Sequence, residues 1–229
     1  MSQENDTEHN KQYGGLISIT ELIKHHYPHN WGSQSDKQRG SAVHRACHYY
    51  NEDALKLDSV SPELMPYLEG WKAFKEMYKP EIIFSEHKLI SDVWQIGGTF
   101  DVLADIILRN NKKPSLVLLD IKSGQEHFTH GIQLAGYSFL VQSLIGLKIK
   151  EAWGVYLTKE GRFKIKIYNE PCWMTWFMAL LNKYTLEKKY KVGGKDNGNR
   201  TYEEGIYCQR HGKDGEGIRS DNQDVGEFS

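Results

Sequence analysis

The segment Leu116-Val-Leu-Leu-Asp120-Ile-Lys122 ends a run of four apolar residues in a carboxylate and an amine two positions apart. On a strand, residues i and i+2 share a face, so Asp120 and Lys122 point one way and Ile121 the other. Burying either charge alone costs on the order of several kcal/mol. A divalent cation and a phosphate placed between them would offset that cost. Asp120 would then be a metal ligand, and Ile121 would offer its backbone carbonyl. Lys122 would stabilise an attacking hydroxide or the phosphate charge. An isolated Asp-x-Lys is more often a strand running out into solvent, so the pattern needs company.

The company lies on either side of it. In Gly97-Gly-Thr-Phe-Asp101-Val-Leu-Ala-Asp105, Asp101 interrupts an apolar run, and the two glycines permit a bulge or a close approach. A hairpin would bring Asp101 beside Asp120 and so supply two carboxylates to one cation. Mg²⁺ prefers such oxygen ligands. Asp105 is the rival carboxylate; it has the same parity but lies further along the strand, at a structural or solvent-facing position. Gln133 and Tyr137 are spaced i, i+4, which sets them on one helix face, suited to holding a phosphate or orienting the lysine. Singly, they read as a surface amide and a core phenol. Upstream, Arg39-Gly-Ser-Ala-Val-His44 opens a helix, and the imidazole of His44 is either a satisfied core group or an additional ligand for a metal such as Mn²⁺.

These residues must be positioned by an alternation of helices and strands. Residues 1–15 are polar and aperiodic and are expected to be disordered. A short helix is predicted from about Glu21, with Thr20 as N-cap and Pro28 as its stop. A second covers 37–57, with Ala42, Val43, Ala46 and Tyr50 as its apolar stripe. A third covers 62–79, beginning its regular part near Pro66 and carrying Leu64, Leu68, Trp71, Phe74 and Tyr78. Three strands in a meander follow, separated by turns at Ser91-Asp92 and at 110–114. Next come an apolar helix over 131–146, two strands (151–158 and 163–168) and a long helix over 171–190. The order predicts an α/β fold with a central mixed sheet flanked by helices and an N-terminal helical elaboration. The domain is expected over 16–191, with 192–229 a polar, flexible tail.

Bulk properties exclude some classes. With 229 residues the chain suits one elaborated domain, and its formal net charge of −1 argues against a protein that coats DNA. An enzyme gripping a few phosphates needs only a local basic groove. No stretch is long and apolar enough for a membrane helix, and the N-terminus has no apolar core resembling a secretory signal. Cys47, Cys172 and Cys208 are too scattered for a disulfide framework, so a reducing cytoplasm is the expected location.

His44, Glu86, Gly98-x-x-Asp101, Asp120-Ile-Lys122 and Gln133-x-x-x-Tyr137 form an ordered series that resembles the RecB-type PD-(D/E)XK nucleases. Ser18-Ile-Thr20 and Arg39 to His44 resemble the part of that group holding the mitochondrial genome maintenance exonuclease and its phage relatives. The likeness spans roughly 16–158 and implies a restriction-endonuclease-like core. It also implies metal-dependent cleavage of DNA phosphodiesters, from an end and often on single strands, in recombination, repair or replication. By position it assigns His44, Asp101 and Asp120 as ligands of Mg²⁺ or Mn²⁺ and Lys122 as the catalytic lysine. Gln133 and Tyr137 become the active-site helix pair, and Glu86 a ligand or brace. Some relatives hold an iron–sulfur cluster on four cysteines; three scattered ones imply none here. No Walker-type loop is present, so a helicase or recombination partner would be a separate protein. Ser123 stands where relatives often have threonine.

A nuclease fold that only binds DNA or protein, an endonuclease and an RNase remain alternatives. For DNA contact the candidates are Arg39, Arg45 and Ser123, and less specifically Lys183, Lys188, Lys189 and Lys191, with Trp31, Tyr49 and Trp94 as stacking platforms. Cys208 and His211 have the spacing of half a zinc site without a second half. His25, His26 and His29 read as a surface group at a helix end.

Overall fold

The strands form because β-branched and large apolar residues fill 81–122 and 151–167, and glycine, proline and polar clusters separate the runs. The structure, a computed structural model, describes residues 15–28, 32–108 and 112–191. Expectations for the N-terminus to residue 14, for His29 and Trp31, and for the tail with Cys208 and His211 lie outside the described residues. The elements are β1 (Ile17–Ser18), α1 (Ile19–His26), α2 (Gln34–Asn51), α3 (Met65–Tyr78), β2 (Glu81–Ser91), β3 (Ile96–Ile107), β4 (Pro114–Lys122), α4 (Thr129–Leu140), β5 (Glu151–Leu157), β6 (Phe163–Ile167) and α5 (Pro171–Tyr190).

All six strands belong to one mixed sheet. β2, β3 and β4 form the antiparallel meander, β5 pairs β4 in parallel after the α4 crossover, and β6 returns antiparallel to β5. β1 pairs in parallel with the start of β3. Helices cover both faces, as the element order predicts. On one face α1, α4 and α5 bury Leu22, Ile132, Leu134, Phe177 and Leu181 against Leu103 and Leu118. On the other, α2 and α3 bury Val43, Cys47, Trp71 and Phe74 against Val102, Ala104, Val117 and Leu119. Strand parity sorts the two sets, because neighbouring residues face opposite layers. Gly131 on α4 is required by packing: a Cβ there would meet the Trp173 ring of α5 at 2.6 Å.

Several boundaries differ from expectation. The cap of α1 is Ser18, whose hydroxyl accepts the Glu21 N–H at 3.1 Å, so Thr20 lies inside the helix. α2 starts at Gln34 rather than 37, because Ser33 and Asp36 form a reciprocal capping box. It ends at Asn51 rather than 57, with Asp53 in a left-handed conformation and a 3₁₀ turn at Leu57–Ser59. Ser91 closes β2 instead of opening the turn, and its hydroxyl accepts the Trp94 N–H. α4 begins two residues early at Thr129 and passes after Leu140 into a π turn over Val141–Ile145, ended by Gly146 at φ 78°. No helix among the described residues is long and apolar enough to cross a membrane.

Candidate active site

Sheet register lines up three acidic residues. Ser85 pairs Val102 and His87 pairs Phe100, so Glu86 stands opposite Asp101. Val102 pairs Leu119, so the next step along the ladder sets Asp120 opposite Asp101. The β3–β4 ladder stops there, and β3 turns to pair with β1 instead. In the fork the Asp101 carboxylate takes over as acceptor: the Ile121 N–H donates to Oδ2 at 2.5 Å. Glu86 holds a left-handed φ of 50° in the middle of β2. That conformation costs on the order of 1–3 kcal/mol for a non-glycine residue and persists only where its surroundings enforce it.

α2 brings His44 across to this row. Its Nδ1 lies 3.0 Å from Asp101 Oδ1 and 3.8 Å from Glu86 Oε1. Burial opposes a charge on His44, but the carboxylates of Asp101 and Glu86 outweigh it and raise its pKa to about 10. Burial pushes the Asp101 carboxyl up, yet the His44 charge and hydrogen bond, Lys122 and the Ile121 amide hold it below the usual range. Asp120 goes the other way. Burial and the Asp101 charge push it up to about 6 despite the opposing pull of Lys122. The two carboxylates, 6% and 2% exposed, therefore differ in proton affinity because the cationic partners are unequally shared.

On the same face Lys122 Nζ lies 2.6 Å from Asp120 Oδ2 and donates to Gln133 Oε1 at 2.9 Å. Gln133 Nε2 donates in turn to the Tyr137 hydroxyl at 3.0 Å. The amide is thus oriented at both ends, and Thr20 of α1 hydrogen-bonds the same phenol. Gly98 makes room for this pair: a Cβ there would approach Tyr137 to 2.7 Å. Asp120 Oδ2 is buried and, apart from its ion pair, receives no directed hydrogen bond from the described residues. A buried carboxylate oxygen with an uncommitted lone pair suits a cation. Ligand atoms of His44, Glu86 and Asp101 all lie within 4.8 Å of one another. The donor set could hold a divalent ion. Ile121 buries its side chain in the opposite core, as strand parity requires.

A cleft of about 1270 Å³ opens from His44 and Lys122 between the first turns of α2, the loop after β4 and the β5–β6 hairpin. Arg39 and Ser123 line it; Arg45 is exposed and does not. Arg39 is anchored to Asp36 at 2.8 Å, and its Nε is buried without a partner among the described residues. Asp105 sits far from the acidic row, in register with Glu81 and Leu116. Lys183, Lys188 and Lys189 lie on α5, and Lys191 just beyond it, away from the cleft. Trp94 packs edge-on against Phe139.

Other groups of the cleft carry little sequence signal. Lys37, Lys159 and Lys164 add positive charge to its walls. Tyr156, paired with Lys122 across the β4–β5 ladder, bonds the Tyr168 hydroxyl at 2.6 Å and His130 Nδ1 at 2.8 Å. The His127 backbone N–H also points at that Nδ1, at 3.4 Å. That nitrogen is therefore an acceptor, and the imidazole is neutral with its proton on Nε2. Burial, then the Lys122 charge, lowers the His130 pKa to about 3. Its place three residues before Gln133 was a readable signal; the tyrosine pair, on β5 and after β6, was not.

No protein-family model and no curated protein matches the chain. Among solved structures it is similar to a protein from Eubacterium rectale described as a "Putative exonuclease", at 12% identity and a TM-score of 0.49, over 80% of this chain and 84% of that one. It is also similar to the structure of SSO0001, at 18% identity and a TM-score of 0.34, over 73% of this chain and 83% of the other.

Proposed function

We propose that the chain is a metal-dependent deoxyribonuclease of the PD-(D/E)XK type, hydrolysing phosphodiester bonds of DNA that offers an end or a single strand. The observation that carries this reading is the row Glu86–Asp101–Asp120 with Lys122 and His44 against it, the last two lining a cleft whose walls carry more basic than acidic side chains. A binding module has no use for two buried carboxylates side by side, one with an oxygen short of a hydrogen bond.

Asp101, Asp120 and Glu86 would hold Mg²⁺ or Mn²⁺, with the Ile121 carbonyl and His44 completing the set; an imidazole ligand favours Mn²⁺. A bound cation would supply Lewis acidity, acidifying water and neutralising the phosphate charge. His44 must first release the proton that Asp101 and Glu86 stabilise, so metal uptake and proton release are linked. Lys122 is clamped between Asp120 and Gln133, which aims its ammonium at the acidic row. There it stabilises negative charge on the attacking oxygen or the scissile phosphate during in-line attack by water. Gln133, fixed by Tyr137, keeps the lysine in place. Arg39, Ser123 and the cleft lysines contact phosphates, so DNA binding should weaken as salt rises.

The direct test is incubation with end-labelled single-stranded, blunt and circular DNA and with RNA, in Mg²⁺, Mn²⁺ or EDTA. Metal-dependent loss of linear DNA, with circles spared, is expected. Cleavage of circles would make it an endonuclease. No cleavage of any substrate with either metal would leave only a binding role.

A further inference from the structure

A second cluster of metal-ligating side chains lies outside the proposed active site, where α1 meets α5. Ligand atoms of His25, His26 and Glu187 all lie within 4.8 Å of one another, although His25 and Glu187 are 162 residues apart in the chain. We propose that these three residues form a binding site for a borderline divalent cation, Zn²⁺ by preference, that ties the C-terminal end of α1 to α5.

Hydrogen bonding leaves the second imidazole nitrogen of His26 ready for a metal. His26 Nε2 lies 3.0 Å from the Leu180 carbonyl oxygen, which can only accept, so the ring proton sits on Nε2 and Nδ1 keeps its lone pair. An imidazole oriented by a carbonyl through its other nitrogen is the usual arrangement of metal-bound histidine. Tyr184 packs edge-on against the His25 ring at 5.2 Å and restricts its rotation.

One of the three spacings already matches an ion. Two ligands each about 2.0–2.1 Å from a tetrahedral zinc are about 3.3 Å apart. His25 Nε2 and Glu187 Oε2 stand 3.0 Å apart, so an ion can replace their shared proton with little movement. Two imidazoles and one carboxylate select Zn²⁺ over Mg²⁺, unlike the carboxylate-rich row on the sheet. The exposed side of His25 leaves a fourth position to water. Of the charged neighbours, Lys183 lies 3.7 Å from Glu187 and must swing aside, which as an exposed side chain it can do. The bound ion would pin α1, whose Thr20 hydrogen-bonds Tyr137. The inference does not depend on the nuclease reading.

The test is titration of the metal-free full chain with Co²⁺ as a spectroscopic probe, back-titration with Zn²⁺, and melting with and without Zn²⁺. One equivalent should show a tetrahedral-type visible spectrum that Zn²⁺ displaces, and Zn²⁺ should raise Tm. In a His44→Ala background, which removes a ligand of the proposed catalytic metal, the spectrum and the Tm rise should persist, and adding His26→Ala or Glu187→Gln to that background should weaken binding at least tenfold and remove both. Glu187→Gln retains a hydrogen-bond acceptor for His25 and reads ligation even if His26→Ala fails to fold. Unchanged binding in both double variants, loss already in His44→Ala, or no Zn²⁺ binding below millimolar concentration overturns the site.

Discussion

The carboxylate of Asp101 accepts the backbone N–H of Ile121 at 2.5 Å, filling the hydrogen-bond position that β3 vacates as it parts from β4. One side chain thus closes a gap in the sheet with one oxygen and holds His44 with the other. A candidate metal ligand is therefore also a structural brace, and the two roles can be separated by mutation. Asp101→Ala leaves a buried amide unpaired, a loss of about 1–3 kcal/mol. Asp101→Asn keeps an acceptor and should cost less. Both should fail to cleave DNA. Urea denaturation alongside a nuclease assay checks this; equal stability of the two variants would contradict the bracing role.

Lys122 touches Asp120 and Gln133 and no other described group at hydrogen-bond distance. Lys122→Met removes the charge and keeps much of the volume. A loss of about 10²–10³ in kcat is expected, the scale of deleting one preorganised charge-stabilising donor. DNA affinity in Ca²⁺ should change far less. Parental turnover by this variant would remove the lysine from the chemistry.

Asp120 gives a stability prediction with a definite sign. Burial raises its carboxyl from 3.8 to about 6, so the folded state binds the proton more tightly than the unfolded chain does. Metal-free stability contributed by this group is present below about pH 3.8 and is lost as pH rises through about 6. Asp120→Asn should therefore raise the Tm of the metal-free protein at pH 7–8, have little effect near pH 4, and abolish cleavage. Divalent metal should raise the parental Tm at pH 8 and do so less at pH 5, where the proton competes. Scanning calorimetry in EDTA and in Mn²⁺ measures both arms.

His130 behaves oppositely. Its pKa is lowered from 6.5 to about 3, chiefly by burial, so the unfolded chain takes up the proton first as pH falls. The stability tied to this neutral ring is complete above about pH 6.5 and drains away toward pH 3. His130→Gln keeps a polar partner for Tyr156 without a titrating group. The parent should lose more stability than this variant between pH 6.5 and 4. Parallel pH–stability curves for the two would refute a buried neutral imidazole.

Trp71 is fully buried, stacks on Phe74 at 5.0 Å and donates its indole N–H to Asn51 at 2.9 Å. Trp71→Ala should cost about 3–5 kcal/mol from the cavity. Because Asn51 ends α2, the helix that carries His44, the variant should also lose activity. Denaturation midpoints and specific activity together test the link.

Much of the candidate site's geometry was legible in the chain because strands and helices have fixed periods. Parity put Asp120 and Lys122 on one face and Ile121 on the other, the short meander placed Asp101 beside Asp120, and i, i+4 spacing joined Gln133 to Tyr137. Each of these relations spans few residues or follows from local geometry. Where local signals compete, the chain alone does not choose between them. Ser18 and Thr20 both offer a hydroxyl near the start of α1, and only the docking of Thr20 onto Tyr137 shows which was left to cap. Arg39 and Arg45 both flank the His44 segment, yet the rotation of α2 about its axis turns only Arg39 into the cleft.

The amino-acid sequence by itself determined the element order, the two-layered burial of the sheet and the pairing of acid with lysine. These follow from hydrophobic period and from short loops that leave little choice of neighbour. Only the tertiary structure decided that Glu86 joins the row through β2 register, and that Lys159 and Tyr156 reach the cleft. It alone brought Glu187 back to His25. Such meetings depend on how whole faces pack, a sum of many small contacts between segments far apart in the chain, which no local spacing encodes.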